Sequence, residues 1–334
     1  MKGAALLSAG RPRETMKKAG AKASFNLDEV RPFHSVFKSA FKNAAGLGSF
    51  SFLRWAERRL SIRHFYSTLK PFLFLRAAMN TVFKRPKSCD HLPVFLRPSK
   101  TIRGEIRQRT SRYLNHIVQF FPDRLAEAKW MGNCRIEGIN HLQEARQHGR
   151  PVVLAFCHFG PYYLLRFWLR AAGFTAATFV GSKMEARMRL TRRQDRFSPH
   201  REIPVVLHYD QLRETIQFLS AGNPLLVALD GPGTKTLDVP FCEGWTFCMA
   251  TGAARLASRH QAELIPCSII DEGFWQFRIH LGPPVPKDYL ASEADLPRAG
   301  TCLIQEMLPD FQARPEQCTN DLARCLKPSP RLRD

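Results

Sequence analysis

The chain has 334 residues and carries 50 Lys plus Arg against 29 Asp plus Glu, a net charge of +21 and a pI near 10.1. With 44% hydrophobic and 24% charged residues it can bury a sizeable core, which excludes a disordered or low-complexity protein. No stretch approaches the roughly 20 apolar residues needed to cross a bilayer. The longest, such as Leu264–Ile270, are strand-sized, which excludes a classical transmembrane protein as well.

In chain order, residues 1–45 read as a flexible basic leader. The short apolar run Ala4–Leu7 is followed at once by Arg11, Arg13, Lys17 and Lys18, which is a poor secretory signal. Residues 46–133 read as a basic amphipathic helical region. Between Ser51 and Lys84, large apolar groups including Trp55, Phe65, Leu69, Phe72, Leu73 and Phe83 recur at three- and four-residue spacings among Arg and Lys. Residues 1–100 hold 20 Lys plus Arg and 5 Asp plus Glu, so +15 of the +21 sits in less than a third of the chain. Such a stretch fits an interfacial helix on an anionic bilayer, a nucleic-acid-binding surface, or a helical cap whose charged face is only solvated. No helix-turn-helix, zinc-finger or RNP-type signature supports nucleic acid. A second helical period runs from Ile102 to Phe121.

From Cys134 the texture becomes that of an α/β protein. Predicted strands at 134–138, 152–157, 174–180, 204–209, 225–229, 262–270 and 274–281 alternate with predicted helices at 140–148, 162–172, 184–196, 210–220 and 248–260. Continuous apolar strands alternating with helices predict a mostly parallel central sheet covered by helices on both faces. Residues 230–246 read as a loop, 291–326 as one or two helices, and 327–334 as a frayed tail; the α/β domain is placed at 134–326. The nine cysteines contain no C-x-x-C pair and read as reduced thiols in a reducing compartment, with no metal site.

Ligands of parallel α/β sheets gather at the carboxyl ends of the strands. The second predicted strand exits there into Cys157-His158-Phe159-Gly160-Pro161, and the strand at 225–229 exits into Asp230-Gly231-Pro232-Gly233-Thr234-Lys235. His158 is a candidate general base. Gly231 and Gly233 allow close backbone approach and Lys235 can meet an anion, although the loop is not a P-loop. Thr251 and Gly252 open a helix that can offer backbone N–H groups. Cys157 is expected to be buried by the strand alternation.

The collinear series Arg135–Gly138, His141-Leu142, Gly149–Leu154, His158–Gly160, Gly173-Phe174, Leu229-Asp230, Gly233, Val239–Phe241, Gly244, Thr251-Gly252, Ala254–Ala257 and Ile265-Pro266 resembles the bacterial lipid A biosynthesis acyltransferase family. These are lauroyl/myristoyl-transferase-like members of the lysophospholipid acyltransferase superfamily, and the resemblance spans about Cys134 to Pro284. It implies transfer of an acyl chain from an acyl-carrier-protein or CoA thioester, with no bound cofactor, to a hydroxyl or amine of a lipid-like acceptor. The family hallmark is His-x4-Asp/Glu, in which the His takes the acceptor's proton and the carboxylate orients it.

This chain departs from the hallmark, because the acid position after His158 holds Tyr163. An Arg found in many members after the strand at 174–180 is also replaced, here by Gly181 or Ser182. Three explanations stay open: Asp230 supplies the carboxylate, the acceptor needs less help, or the protein binds acyl ligands without turnover. If the missing acid limits turnover, Tyr163→Glu raises activity. The reading assigns His158 and Asp230 to catalysis, and Tyr163, Gly160, Gly231, Gly233, Lys235, Phe241, Thr251, Gly252 and Arg255 to substrate binding. Lys183, Arg187, Arg192 and Arg193 would dock an acidic carrier protein or headgroup. The resemblance tips the basic N-terminal region toward an anionic membrane surface, with no nucleic acid, and implies a peripheral protein on the cytoplasmic face of a bacterial inner membrane.

Overall fold

A computed structural model of the protein describes residues 62–83, 93–96, 102–107, 109–110, 134–179, 206–207, 211–231, 235–273 and 276–329. The chain divides into two compact units, Met1–Arg59 and Leu60–Asp334, and every described residue belongs to the second. Helix α1 (Ile62–Phe83) buries Leu69, Leu73 and Ala77, one side chain per turn along a single stripe. Phe72, Leu75 and Met79, at i, i+3 and i+7, are exposed on another face of the same helix. Residues 102–107 and 109–110 are also helical.

The remaining elements are β1 (Cys134–Glu137), α2 (Ile139–Gln147), β2 (Val152–Phe156), α3 (Leu165–Ala171), β3 (Ala177–Phe179), β4 (Val206–Leu207), α4 (Leu212–Ser220) and β5 (Leu225–Ala228). They continue with β6 (Thr236–Cys242), β7 (Trp245–Ala250), α5 (Gly252–His260), β8 (Glu263–Gly273), β9 (Gln276–Leu281), α6 (Leu296–Ala313), α7 (Asn320–Arg324) and β10 (Leu326–Pro328). Seven strands form one sheet in the order β1-β9-β8-β2-β5-β3-β4. All its pairings are parallel except β8 with β9, so the fold is α/β with a mostly parallel central sheet. The apolar run of β2 is buried at every position because it lies between β5 and β8 with both faces covered.

A second, three-stranded antiparallel sheet in the order β10-β7-β6 packs through α6 onto the first. Two sequence expectations change here. Residues 236–250, read as a loop running into a helix, form the β6–β7 hairpin, so that helix starts at Gly252 and not at Cys248. The turn is Glu243-Gly244, with Gly244 at φ +72°. Pro240, which argues against a strand, is tolerated because β6 is the edge strand. The second change concerns the C-terminus: Leu326–Pro328, read as the end of a helical segment and the start of a frayed tail, pairs with β7.

Candidate active site

Strands β2 and β5 are adjacent and parallel, with Phe156 opposite Ala228. Two residues beyond each, at the carboxyl edge of the sheet, stand His158 and Asp230. The register of the two strands therefore brings together residues 72 positions apart in the chain. The Leu229 N–H donates to the Phe156 carbonyl at 2.7 Å, and the Leu229 carbonyl accepts from the Ala250 N–H at 2.8 Å. These bonds fix the loop after β5 to both β2 and β7.

Both oxygens of Asp230 accept from the His158 main-chain N–H, Oδ1 at 3.0 Å and Oδ2 at 2.9 Å. Oδ1 also lies 2.8 Å from His158 Nδ1. An ionised carboxylate can only accept, so Nδ1 carries the hydrogen and Nε2 keeps its lone pair. The Asp230 side chain is 0% exposed, whereas 22% of the imidazole reaches solvent. A buried carboxyl group thus backs an imidazole whose other face is open. Burial works to lower the His158 pKa, but the hydrogen bond and charge of Asp230, with a further contribution from Asp321, raise it above its ordinary value.

Aromatic rings frame the imidazole. The Tyr162 ring meets it edge-on at 4.5 Å between centroids, and Phe156 at 5.7 Å. Gly160 sits at φ +57°, and a Cβ there would lie 2.2 Å from the Ile269 carbonyl oxygen, so only glycine fits this turn. Cys157 is buried and burial, then the Asp230 charge, pushes its thiol well above the ordinary range, which removes it as a nucleophile.

Lys235 accepts from the Thr251 N–H at 3.1 Å and from its hydroxyl at 3.2 Å through its carbonyl, tying the loop after Asp230 to the start of α5 at Gly252. Gly231 follows Asp230 directly. Phe241 is fully buried and stacks with Phe95, Phe247 and Phe311. Arg255 is engaged by Glu293. Gly233, Lys183, Arg187, Arg192 and Arg193 lie outside the described residues, as do Gly181 and Ser182. Among the described residues, no group of three or more His, Cys, Asp or Glu is arranged to hold a metal ion.

Tyr163 is not the partner of His158. Its hydroxyl is buried and has no hydrogen-bond partner among the described residues. Burial, then Tyr162 and Asp271, push its pKa well above the phenol range. Asp271 is itself buried, and burial pushes its pKa up to about 6 against the pull of the Gly273 N–H and Arg314. A carboxylate at position 163 would be a second buried acid in this region. Tyr163→Phe is expected to leave activity near wild type and the melting temperature unchanged or higher, since a buried hydroxyl without a partner carries its desolvation cost. Tyr163→Glu is expected to lower the melting temperature without a gain in activity. Thermal melts and initial rates of the two variants check both outcomes.

A model of the bacterial lipid A biosynthesis acyltransferase family matches residues 110–317. The chain belongs to that family. It is accordingly an acyltransferase of lipid biosynthesis, working between an acyl donor and a lipid-like acceptor. The matched segment contains His158, Asp230 and the whole seven-stranded sheet. No curated protein matches the chain. Among solved structures it is similar to the 1-acyl-sn-glycerophosphate (LPA) acyltransferase PlsC of Thermotoga maritima, with 14% identity, a TM-score of 0.38, and coverage of 76% of this chain and 94% of that one.

Sequence reasoning reached His158 and Asp230 but not Tyr162 or the segment Gln317–Thr319, which meets the loop His158–Gly160 from the far side. The Thr319 hydroxyl donates to the His158 carbonyl, and the Gly160 N–H donates to the Gln317 carbonyl at 3.1 Å. The one sequence signal near it, a Thr before a short polar helix, announces a helix cap and nothing about its neighbour.

Proposed function

We propose that this acyltransferase moves a fatty acyl group from the thioester of an acyl carrier protein or of CoA to a hydroxyl or amine of a lipid-like acceptor. His158 is the general base and Asp230 its orienting carboxylate. As the acceptor oxygen or nitrogen attacks the thioester carbonyl, its proton passes to Nε2. Collapse of the tetrahedral intermediate breaks the C–S bond, and the departing thiolate takes the proton back from the imidazolium. No covalent enzyme intermediate is needed, and the buried negative charge of Asp230 favours the imidazolium stage. The observation that carries this reading is the contact of Asp230 with both the Nδ1 and main-chain N–H of an imidazole that remains open to solvent.

Around that pair, Gly160, Gly231, Gly233, Lys235, Thr251 and Gly252 would border the donor, with Lys235 toward its anionic part. The cations Lys183, Arg187, Arg192 and Arg193 would receive an acidic carrier protein or headgroup. The reaction is placed at the cytoplasmic face of a bacterial inner membrane, to which the protein attaches peripherally. Support comes from the +15 within residues 1–100 and the exposed Phe72, Leu75 and Met79 of α1. No described helix is long and apolar enough to cross a membrane.

The test incubates the purified protein with acyl-carrier-protein or acyl-CoA and candidate acceptor lipids, with products followed by mass spectrometry. An acceptor heavier by one acyl residue is the expected product. Acyl-ligand binding with no product would replace catalysis by binding alone. In the same preparation, flotation should favour phosphatidylglycerol-rich vesicles over phosphatidylcholine and weaken when Phe72, Leu75 and Met79 are replaced by Ser. Undiminished flotation of that variant would remove α1 from the membrane contact.

A further inference from the structure

The N–H and carbonyl of His158 and the N–H of Gly160 are met by partners that come from two sides. On one side, Asp230 holds the His158 N–H. On the other, residues 317–321 run alongside as a short strap. The Thr319 hydroxyl donates to the His158 carbonyl, Phe159 and Cys318 form an isolated antiparallel bridge, and the Gly160 N–H donates to the Gln317 carbonyl. The strap is itself anchored. Gln317 is 3% exposed, its Oε1 accepts from the Asp271 N–H at 2.9 Å and its Nε2 donates to the Asp271 carbonyl at 2.7 Å. A buried primary amide with both ends bound to one main-chain residue of β8 ties the strap to the central sheet.

We infer that Thr319 is a positioning residue for His158, acting as the hydroxyl through which this strap sets the direction of the imidazole. The inference rests on the reading of His158 as the base. Rotation of the imidazole about its own backbone is limited only if that backbone cannot pivot, and the peptide of His158 has two polar ends. Asp230 fixes the N–H end and Thr319 the carbonyl end. Removing either leaves a hinge at the base of the side chain, and loss of orientation by an ångström is enough to slow proton transfer.

The strap also carries a charge. Asp321, two residues beyond Thr319 in α7, raises the His158 pKa together with Asp230. Tyr162 faces the ring as a neutral aromatic. The thiols of Cys157 and Cys325 lie near Asp230, and burial pushes both upward, Cys325 to about 12, so they stay neutral near pH 7. Among the described residues, the charges reaching His158 are therefore those of Asp230 and Asp321. Asp321 is 54% exposed and lies 3.5 Å from Arg324, so its action falls with added salt.

The experiment compares Thr319→Val, Thr319→Ser and Asp321→Asn with wild type in the acyl-transfer assay across pH. Thr319→Val is expected to lower kcat by roughly 10-fold with KM within about twofold, a change of about 1.4 kcal/mol in the barrier. Thr319→Ser should restore kcat to within about twofold, since it returns the hydroxyl. Asp321→Asn should move the acidic limb of kcat/KM to lower pH at low ionic strength. Added salt should move the wild-type limb the same way and leave that of Asp321→Asn in place. A wild-type kcat in Thr319→Val, or equal impairment in the Ser and Val variants, would overturn the positioning role. A thermal melt accompanies each variant, and if Thr319→Val does not fold, a wild-type kcat in Thr319→Ala overturns the role in its place. The two readings separate cleanly: an active His158→Ala ends the base assignment, whereas an inactive His158→Ala with a wild-type Thr319→Val ends only the strap's role.

Discussion

Replacing His158 by alanine is expected to lower kcat/KM by about 10²–10⁴-fold, the range a positioned general base contributes. The substitution keeps the main-chain N–H that Asp230 binds and the carbonyl that Thr319 binds. What is lost in the fold is one charge-assisted hydrogen bond, about 1–3 kcal/mol. For a chain of this size that corresponds to a fall in melting temperature of roughly 2–12 °C, small enough to leave the protein folded at assay temperature. Activity and melting therefore separate, and a thermal melt beside initial-rate measurements reads both. Rates within twofold of wild type would remove His158 from the chemistry.

The pH dependence carries the same assignment with a sign that can be checked. As a general base His158 would work in its neutral form, so activity should fall as pH drops through its folded-state pKa. That pKa lies above the ordinary histidine value. Stability runs the other way. A histidine whose pKa is raised on folding contributes stability that is full below its unfolded pKa and is lost as pH rises through the folded one. The His158–Asp230 pair is thus strongest on the acid side, where the enzyme is slow. An acidic limb in rate without loss of the folded signal identifies titration of the base.

The parts of the fold that could be read from the sequence are those where one local pattern decides. Val152–Phe156 and Leu225–Ala228 are continuous apolar runs because both faces of a central parallel strand are covered. That placed His158 and Asp230 at strand ends, but their contact depends on β2 and β5 being neighbours in a particular register, which no local pattern encodes. The β6–β7 hairpin carried its signal in the alternation of Leu237, Val239 and Phe241 and of Trp245, Phe247 and Met249. Pro240 and the glycine turn concealed it, because a proline counts against a strand unless that strand is known to be an edge. Phe241 was legible only as part of a collinear motif, and its packing among three other rings depends on elements far apart in the chain. Thr319 is 161 residues from His158, and only the assembled sheet brings them together.

Asp230→Asn is the substitution that tests whether a carboxylate from a neighbouring strand can replace the motif acid absent at Tyr163. The amide is nearly isosteric, so packing is preserved, but its two ends are no longer equivalent. The His158 main-chain N–H can only donate and will take the amide oxygen. Oδ1 meets both that N–H and Nδ1. An amide nitrogen in its place donates to Nδ1, forces the imidazole hydrogen onto Nε2 and removes the lone pair that should accept the acceptor's proton. An amide oxygen there keeps the tautomer and loses only the charge. A fall in kcat of about 10²-fold or more is expected in the first case, from the tautomer change together with the loss of negative charge opposite the imidazolium, and a smaller fall in the second. The remaining activity should show an acidic limb displaced to lower pH, because both the hydrogen bond and the charge that raise the His158 pKa are weakened. Asp230→Ala should be worse in a different currency. It leaves the His158 N–H without a partner in a buried position, so it is expected to cost stability as well as rate. Measured side by side, the Asn variant isolates charge and tautomer while the Ala variant adds the main-chain bond. Wild-type turnover with an unmoved limb in Asp230→Asn would mean that the imidazole needs no carboxylate here. The departure at Tyr163 would then be a loss without replacement, and not a transfer of the acid from the helix after β2 to the end of β5.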